Sequence, residues 1–169
     1  MFPLRFRSGI LPAALLLSFA CTASAAGEDR RVRRALEDAD IEFSVNDNDN
    51  FRIVWDCETD DRTQLVLINS RTENYHDMEL REVWSVAFRG ETPVSESRMT
   101  ELLAENARKK VGAWQMILPR PNESADRHLV VFQIVLPADA DGDELRSAII
   151  ACAEEADRIE REWVGTDDL

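Results

Sequence analysis

Residues 141–165 read DGDELRSAIIACAEEADRIEREWVG, and no other stretch states its local structure so plainly. Asp141 and Glu144 stand three apart, the spacing of a capping box, in which each side chain satisfies a backbone N–H of the first helical turn. Leu145, Ile149, Cys152, Ala156, Ile159 and Trp163 then recur at steps of 4, 3, 4, 3 and 4. Apolar residues at that spacing fall on one side of an α-helix, and Gly165 is a stop signal. Such a stripe can be a coiled-coil seam. The small Cys152 and Ala156 in its middle suit a close approach to a flat surface, so the stripe predicts a helix lying on a sheet.

The sheet it needs is written upstream. Ile41, Phe43 and Val45 alternate with Glu42 and Ser44, as in a half-buried strand. Asn46 to Asn50 is a turn, because Asn and Asp accept left-handed backbone and bond locally. Phe51, Ile53, Trp55 and Cys57 share one side of the next strand, and Arg52, Val54 and Asp56 the other. Leu65 to Ile68 is apolar throughout. Asn69 to Glu79 reads as polar loop. Val83, Ser85 and Ala87 alternate with Trp84, Val86 and Phe88. Four strands with polar turns between them predict an antiparallel meander.

Two further helices complete the pattern. Asp29 can cap the first, with Val32, Ala35, Leu36 and Ala39 on its inner side and four arginines outside. Ser95 can cap the second, with Met99, Leu102, Leu103, Asn106 and Lys110 along one side and Gly112 closing it. Trp114 to Leu118 and Leu129 to Leu136 read as two more strands, joined by a Pro-punctuated loop. The order α-ββββ-α-ββ-α predicts an α+β fold, an antiparallel sheet of about six strands with three helices.

Several short runs carry a resemblance. Ala39-Asp40-Ile41-Glu42-Phe43 leads into the first strand, and a polar turn precedes Phe51-Arg52-Ile53. Leu102-Leu103-Ala104-Glu105-Asn106 stands ahead of Gly112-Ala113-Trp114, and a long helix ends the chain. With the element order, these resemble the YbjN domain family over about residues 29 to 164, a family similar in fold to type III secretion chaperones. The resemblance implies a chaperone-like α+β domain, self-association into a homodimer, and a role in binding or regulation. It offers no catalytic residues. Most chaperone-like relatives act in the cytoplasm, whereas this chain opens on an export signal.

That signal has three parts: Arg5 and Arg7, an apolar run from Ile10 to Ala20, and the small residues Thr22 to Ala26. They form the n-region, h-region and cleavage site of a secretory signal peptide. Cleavage after Ala25 predicts a periplasmic or secreted protein with residues 26–169 as one domain; a lipid anchor on Cys21 is the alternative. The apolar run of about 11 residues is short of the roughly 20 a membrane span requires, and no membrane span is expected after its removal. The 169-residue chain has net charge −13. A chain so acidic repels nucleic acid and anionic surfaces, and nucleic acid is not an expected partner. Cys57 and Cys152 are an even pair in an oxidising compartment. A bond between them would close a loop of about 95 residues and stabilise by about 4–5 kcal/mol; two separate buried thiols are the other reading.

Catalytic signatures do not emerge. Asp139-Ala140-Asp141-Gly142-Asp143 resembles a calcium loop, but Glu144 and Ile150 stand where an EF-hand needs Gly and Glu. His76 and His128 fall in loops with no nucleophile signature beside them. Neither a P-loop nor a dinucleotide turn is present, and no metal or cofactor is expected. The tryptophans are core by default. On an open sheet face, Trp84, Phe88 and Trp114 would instead be anchors for a polypeptide partner. The leading expectation is an exported, non-enzymatic binding module. The alternatives are an envelope small-ligand or stress sensor and, further off, a lipid-anchored structural lipoprotein.

Overall fold

The computed structural model describes residues 27–57, 61–119 and 128–167. The signal peptide, Cys21 and most of the loop after Pro119 lie outside the described residues. The fold is α+β, three helices and a seven-stranded antiparallel sheet. In chain order the elements are α1 (Arg30–Asp38), β1 (Ser44–Val45), β2 (Phe51–Asp56), β3 (Thr63–Ile68), β4 (Glu73–Tyr75), β5 (Met78–Gly90), α2 (Glu96–Asn106), β6 (Ala113–Ile117), β7 (His128–Pro137) and α3 (Gly142–Trp163). The sheet runs β1-β2-β3-β5-β7-β6, with β4 paired to the start of β5. The meander therefore holds through β5. The β6–β7 hairpin then returns with β7 inside, against β5.

Local chemistry fixes the ends of the helices. Asp141 accepts from the N–H groups of Asp143 and Glu144, while Glu144 accepts from the Asp141 N–H at 3.0 Å. The expected capping box is thus complete. Asp29 caps α1 through the Arg31 N–H at 2.8 Å. In the first turn, Asn46 Oδ1 accepts from the Asn48 and Asn50 N–H groups, and Asp49 is left-handed at φ 61.

Packing follows the stripes. Leu145, Ile149, Cys152, Ala156 and Ile159 of α3 are buried over β2, β3, β5 and β7, so the stripe belongs to a sheet contact and not to a coiled coil. Val32 and Leu36 of α1 and Leu102 of α2 join the same core. A Cβ on Gly142 would meet Ala35 O and Ala39 Cβ at 2.7 Å, which is how closely α1 crosses the start of α3. Arg158 of α3 pairs with Glu105 of α2 at 2.7 Å. All three helices thereby cover one face of the sheet.

Four local readings are corrected. Glu73–Tyr75, read as loop, is a short strand that turns back through left-handed His76 to pair with Met78–Leu80. The first strand keeps only Ser44–Val45, since the Ile41 N–H bonds to Leu36 O and prolongs the exit from α1. Helix α2 ends at Asn106, not near Gly112. The Asn106 amide is drawn instead to the backbone of Trp114, accepting from its N–H at 2.8 Å and donating to its carbonyl at 3.1 Å. Leu103, expected on the inner side, is exposed.

Candidate functional site

Strand alternation gives the sheet a second face, which the helices do not cover. Cross-strand register arranges it in rows. Val54 stands beside Leu65 on the neighbouring strand, and Val86 beside Val131 and then Gln115. One step along, Arg52, Leu67, Trp84, Gln133 and Ala113 form a second row. None of the apolar members belongs to the helix-side core. Val54 is 66 % exposed, while Leu65, Leu67, Trp84 and Val86 are half-buried by one another on the central strands. Val131, flanked on both sides, is buried. The result is an apolar band across four strands.

The polar groups on this face are paired among themselves. The Trp84 indole N–H donates to Asn69 Oδ1 at 3.0 Å. Asn69 Nδ2 donates to Glu82 Oε2 at 2.7 Å, and Gln133 Nε2 to Glu82 Oε1 at 2.8 Å. These bonds fix the Trp84 ring and occupy both carboxylate oxygens of Glu82. A buried polar group without a partner costs about 1–3 kcal/mol. Here, covering the face orphans neither the Trp84 indole N–H nor the carboxylate oxygens of Glu82. A groove of about 260 Å³, lined by Arg71, Tyr75, Leu80 and Val135 with Asn69 and Glu82, continues the face at the β4 end.

The helix side carries a different polar cluster. Arg62 Nε donates to Asp157 at 2.5 Å and Arg62 Nη2 to Glu160 at 2.9 Å, all three buried. Gln64 donates to Glu160 at 2.5 Å, and the Ser85 hydroxyl donates to Gln64 Oε1 at 3.0 Å. Thr166 O and Asp167 close the outer end, drawing the C-terminal segment onto the start of β3. A third network ties the chain's first described residues to the sheet: buried Arg81 donates to Asn69 O, Ser70 O, Ala138 O and, at 2.6 Å, to Asp29. Arg31 bridges Asp29 and Glu79. Burial pushes the Asp29 carboxyl up, but the bonds from Arg31 and Arg81 outweigh it and hold the group well below the carboxylate range. Arg31 and Thr72 hold Glu79 down to about 2.

Of the expected anchors only Trp84 lies on the open face. A bulge on β5 between Val86 and Phe88 turns the Phe88 ring to the helix side, edge-on to Trp163 at 5.9 Å. Trp114 is 4 % exposed and packs on Phe132 in the core, its indole N–H donating to Glu105. Cys57 and Cys152 are free thiols. The Cys152 thiol donates to Val83 O, and burial pushes it up to about 12. Burial and then the charge of Asp157 push Cys57 up to about 11. Among the described residues, no group of three His, Cys, Asp or Glu is arranged to hold a metal, the Asp139–Asp143 run included. No helix described is long and apolar enough to cross a membrane.

Sequence reasoning missed Asn69, Glu82 and Gln133. The signal was the alternation itself: Glu82 and Gln133 fall on the outward side of their strands and Asn69 continues that side just past the end of β3, but which polar side chains meet depends on register. Compared with family models, curated proteins and solved structures, the chain matches none.

Proposed function

We propose that this protein is an exported, non-enzymatic binding module of the YbjN kind, chaperone-like, that docks a polypeptide on the uncovered face of its sheet. The observation that carries the reading is the Trp84–Asn69–Glu82–Gln133 network within an apolar band. A rigid aromatic with its polar atom already satisfied loses little entropy and no hydrogen bond on being covered. Contiguous apolar surface of this kind on a chain with 31 % charged residues marks a contact site. An export signal at residues 5–26 supports work in the periplasm or outside the cell, which suits a function needing no nucleotide cofactor.

The test is capture of a reduced, permanently unfolded model polypeptide, followed by titration calorimetry. Trp84→Glu is expected to lose at least tenfold in affinity while its melting temperature stays near that of the parent. Capture that is indifferent to Trp84→Glu, or that is absent from protein monomeric in solution, overturns the reading.

A further inference from the structure

We infer that the occupant of the open face is a second copy of this chain, packed sheet against sheet across a two-fold axis that follows the Val54–Val86–Val131 row. The inference rests on the docking reading above and names its partner. Charge is the first argument. Arg52, Arg71 and Arg89 lie on this face and its groove with Asp56, Glu73 and Glu82, three of each sign, in a chain of net charge −13. The face is near neutral while the excess negative charge lies elsewhere, so two copies meet here without net repulsion.

Register is the second argument. The row on one side of the axis is Arg52, Leu67, Trp84, Gln133, Ala113. On the other side Asp56 stands beside Thr63, and, past the bulge, Arg89 stands beside Leu129 and Ile117. A two-fold along the middle row exchanges these rows. It sets Arg52 against the partner's Asp56 and Trp84 beneath the partner's Arg89, an ion pair and a cation–π contact, each made twice. It also sets small Ala113 against the partner's Ile117. Arg52, Asp56 and Arg89 are exposed and have no ion-pair partner among the described residues, so these charges are unspent within one copy.

Size is the third argument. Five strands by six residues span about 24 Å by 20 Å at ordinary strand spacing and rise. That is roughly 480 Å² before side-chain relief, approaching the roughly 800 Å² each partner buries in a standard interface. Sheets pack aligned at about 30° and 10 Å apart, within reach of Arg and Trp side chains.

Sedimentation equilibrium tests this on the purified protein. The expected result is a dimer. Arg52→Asp alone and Asp56→Arg alone each weaken it roughly tenfold, and the double exchange recovers most of the loss. Both positions are exposed, so circular dichroism melts at concentrations where each protein is monomeric are expected to be unchanged. A protein monomeric throughout the concentration range, or a dimer no better in the double exchange than in the singles, overturns the inference. A monomer that still captures unfolded polypeptide through Trp84 removes only the second copy as occupant. A monomer that captures nothing removes the docking reading as well.

Discussion

The two faces of this sheet come from the same alternating strands, and both carry paired polar side chains, but for different reasons. Under α3, Arg62, Gln64 and Ser85 are cut off from water and must be satisfied by Asp157, Glu160 and one another. On the open face water is at hand, and nothing in the monomer obliges Asn69, Glu82 and Gln133 to bond together. A surface that satisfies itself while still wet is one prepared to lose its water. The helix face shows what that preparation looks like once complete.

The comparison breaks first at the tryptophans. Trp84 on β5 and Trp114 on β6, the fourth and sixth strands across the sheet, sit on opposite faces. Trp114→Ala is expected to cost about 3–5 kcal/mol in urea unfolding, since it opens a cavity against Phe132 and removes the indole bond to Glu105. Trp84→Ala in the monomer is expected to cost no more than about 1 kcal/mol, because the ring is half-exposed. Equal costs would mean that the open face is already core, and the docking reading would lose its basis.

Acid sharpens the comparison next, at the network that ties α1 to the sheet. Asp29 and Glu79 both bind protons less readily folded than unfolded. Their contribution is therefore complete above about pH 5 and is lost as pH falls through the carboxylate range toward 2. Asp29→Asn is expected to lower the urea midpoint at pH 7 and to flatten its fall between pH 5 and 2. An unchanged slope would show that Arg81 is held well enough by its three carbonyl partners.

How much of this was legible in the sequence depends on the kind of signal. The α3 stripe and its capping box are periodic and local, and both stand as read, as do the Asp29 cap and the Asn46 turn. Strand β4 was not legible: Glu73-Asn74-Tyr75 has no apolar alternation and pairs only because the hairpin through His76 holds it there. Phe88 was misplaced by a bulge of one residue, which reverses every side chain beyond it and leaves no mark in a pattern of period two. The outward position of Trp84 could be read from alternation with Val83 and Ser85. Its partners could not, because Asn69 and Gln133 lie 15 and 49 residues away and meet it only through strand register.

The smallest expected effect lies at Val54, and it separates the two faces most sharply. Ile53 and Val54 are neighbours on β2, one 1 % and the other 66 % exposed. Val54→Thr keeps the shape and the β-branching and exchanges one methyl for a hydroxyl. In the monomer that change meets water, and unfolding free energy is expected to move by less than about 0.5 kcal/mol. If the Val54 row is the line along which a second sheet packs, the same hydroxyl enters an apolar contact. The loss is then on the order of 0.8 kcal/mol for each copy, about fourfold in the dissociation constant per site. Stability unchanged with association weakened ties Val54 to contact alone. Association unchanged would move the covered area away from β2, toward Trp84 and Val131, and with it the axis of any self-pairing.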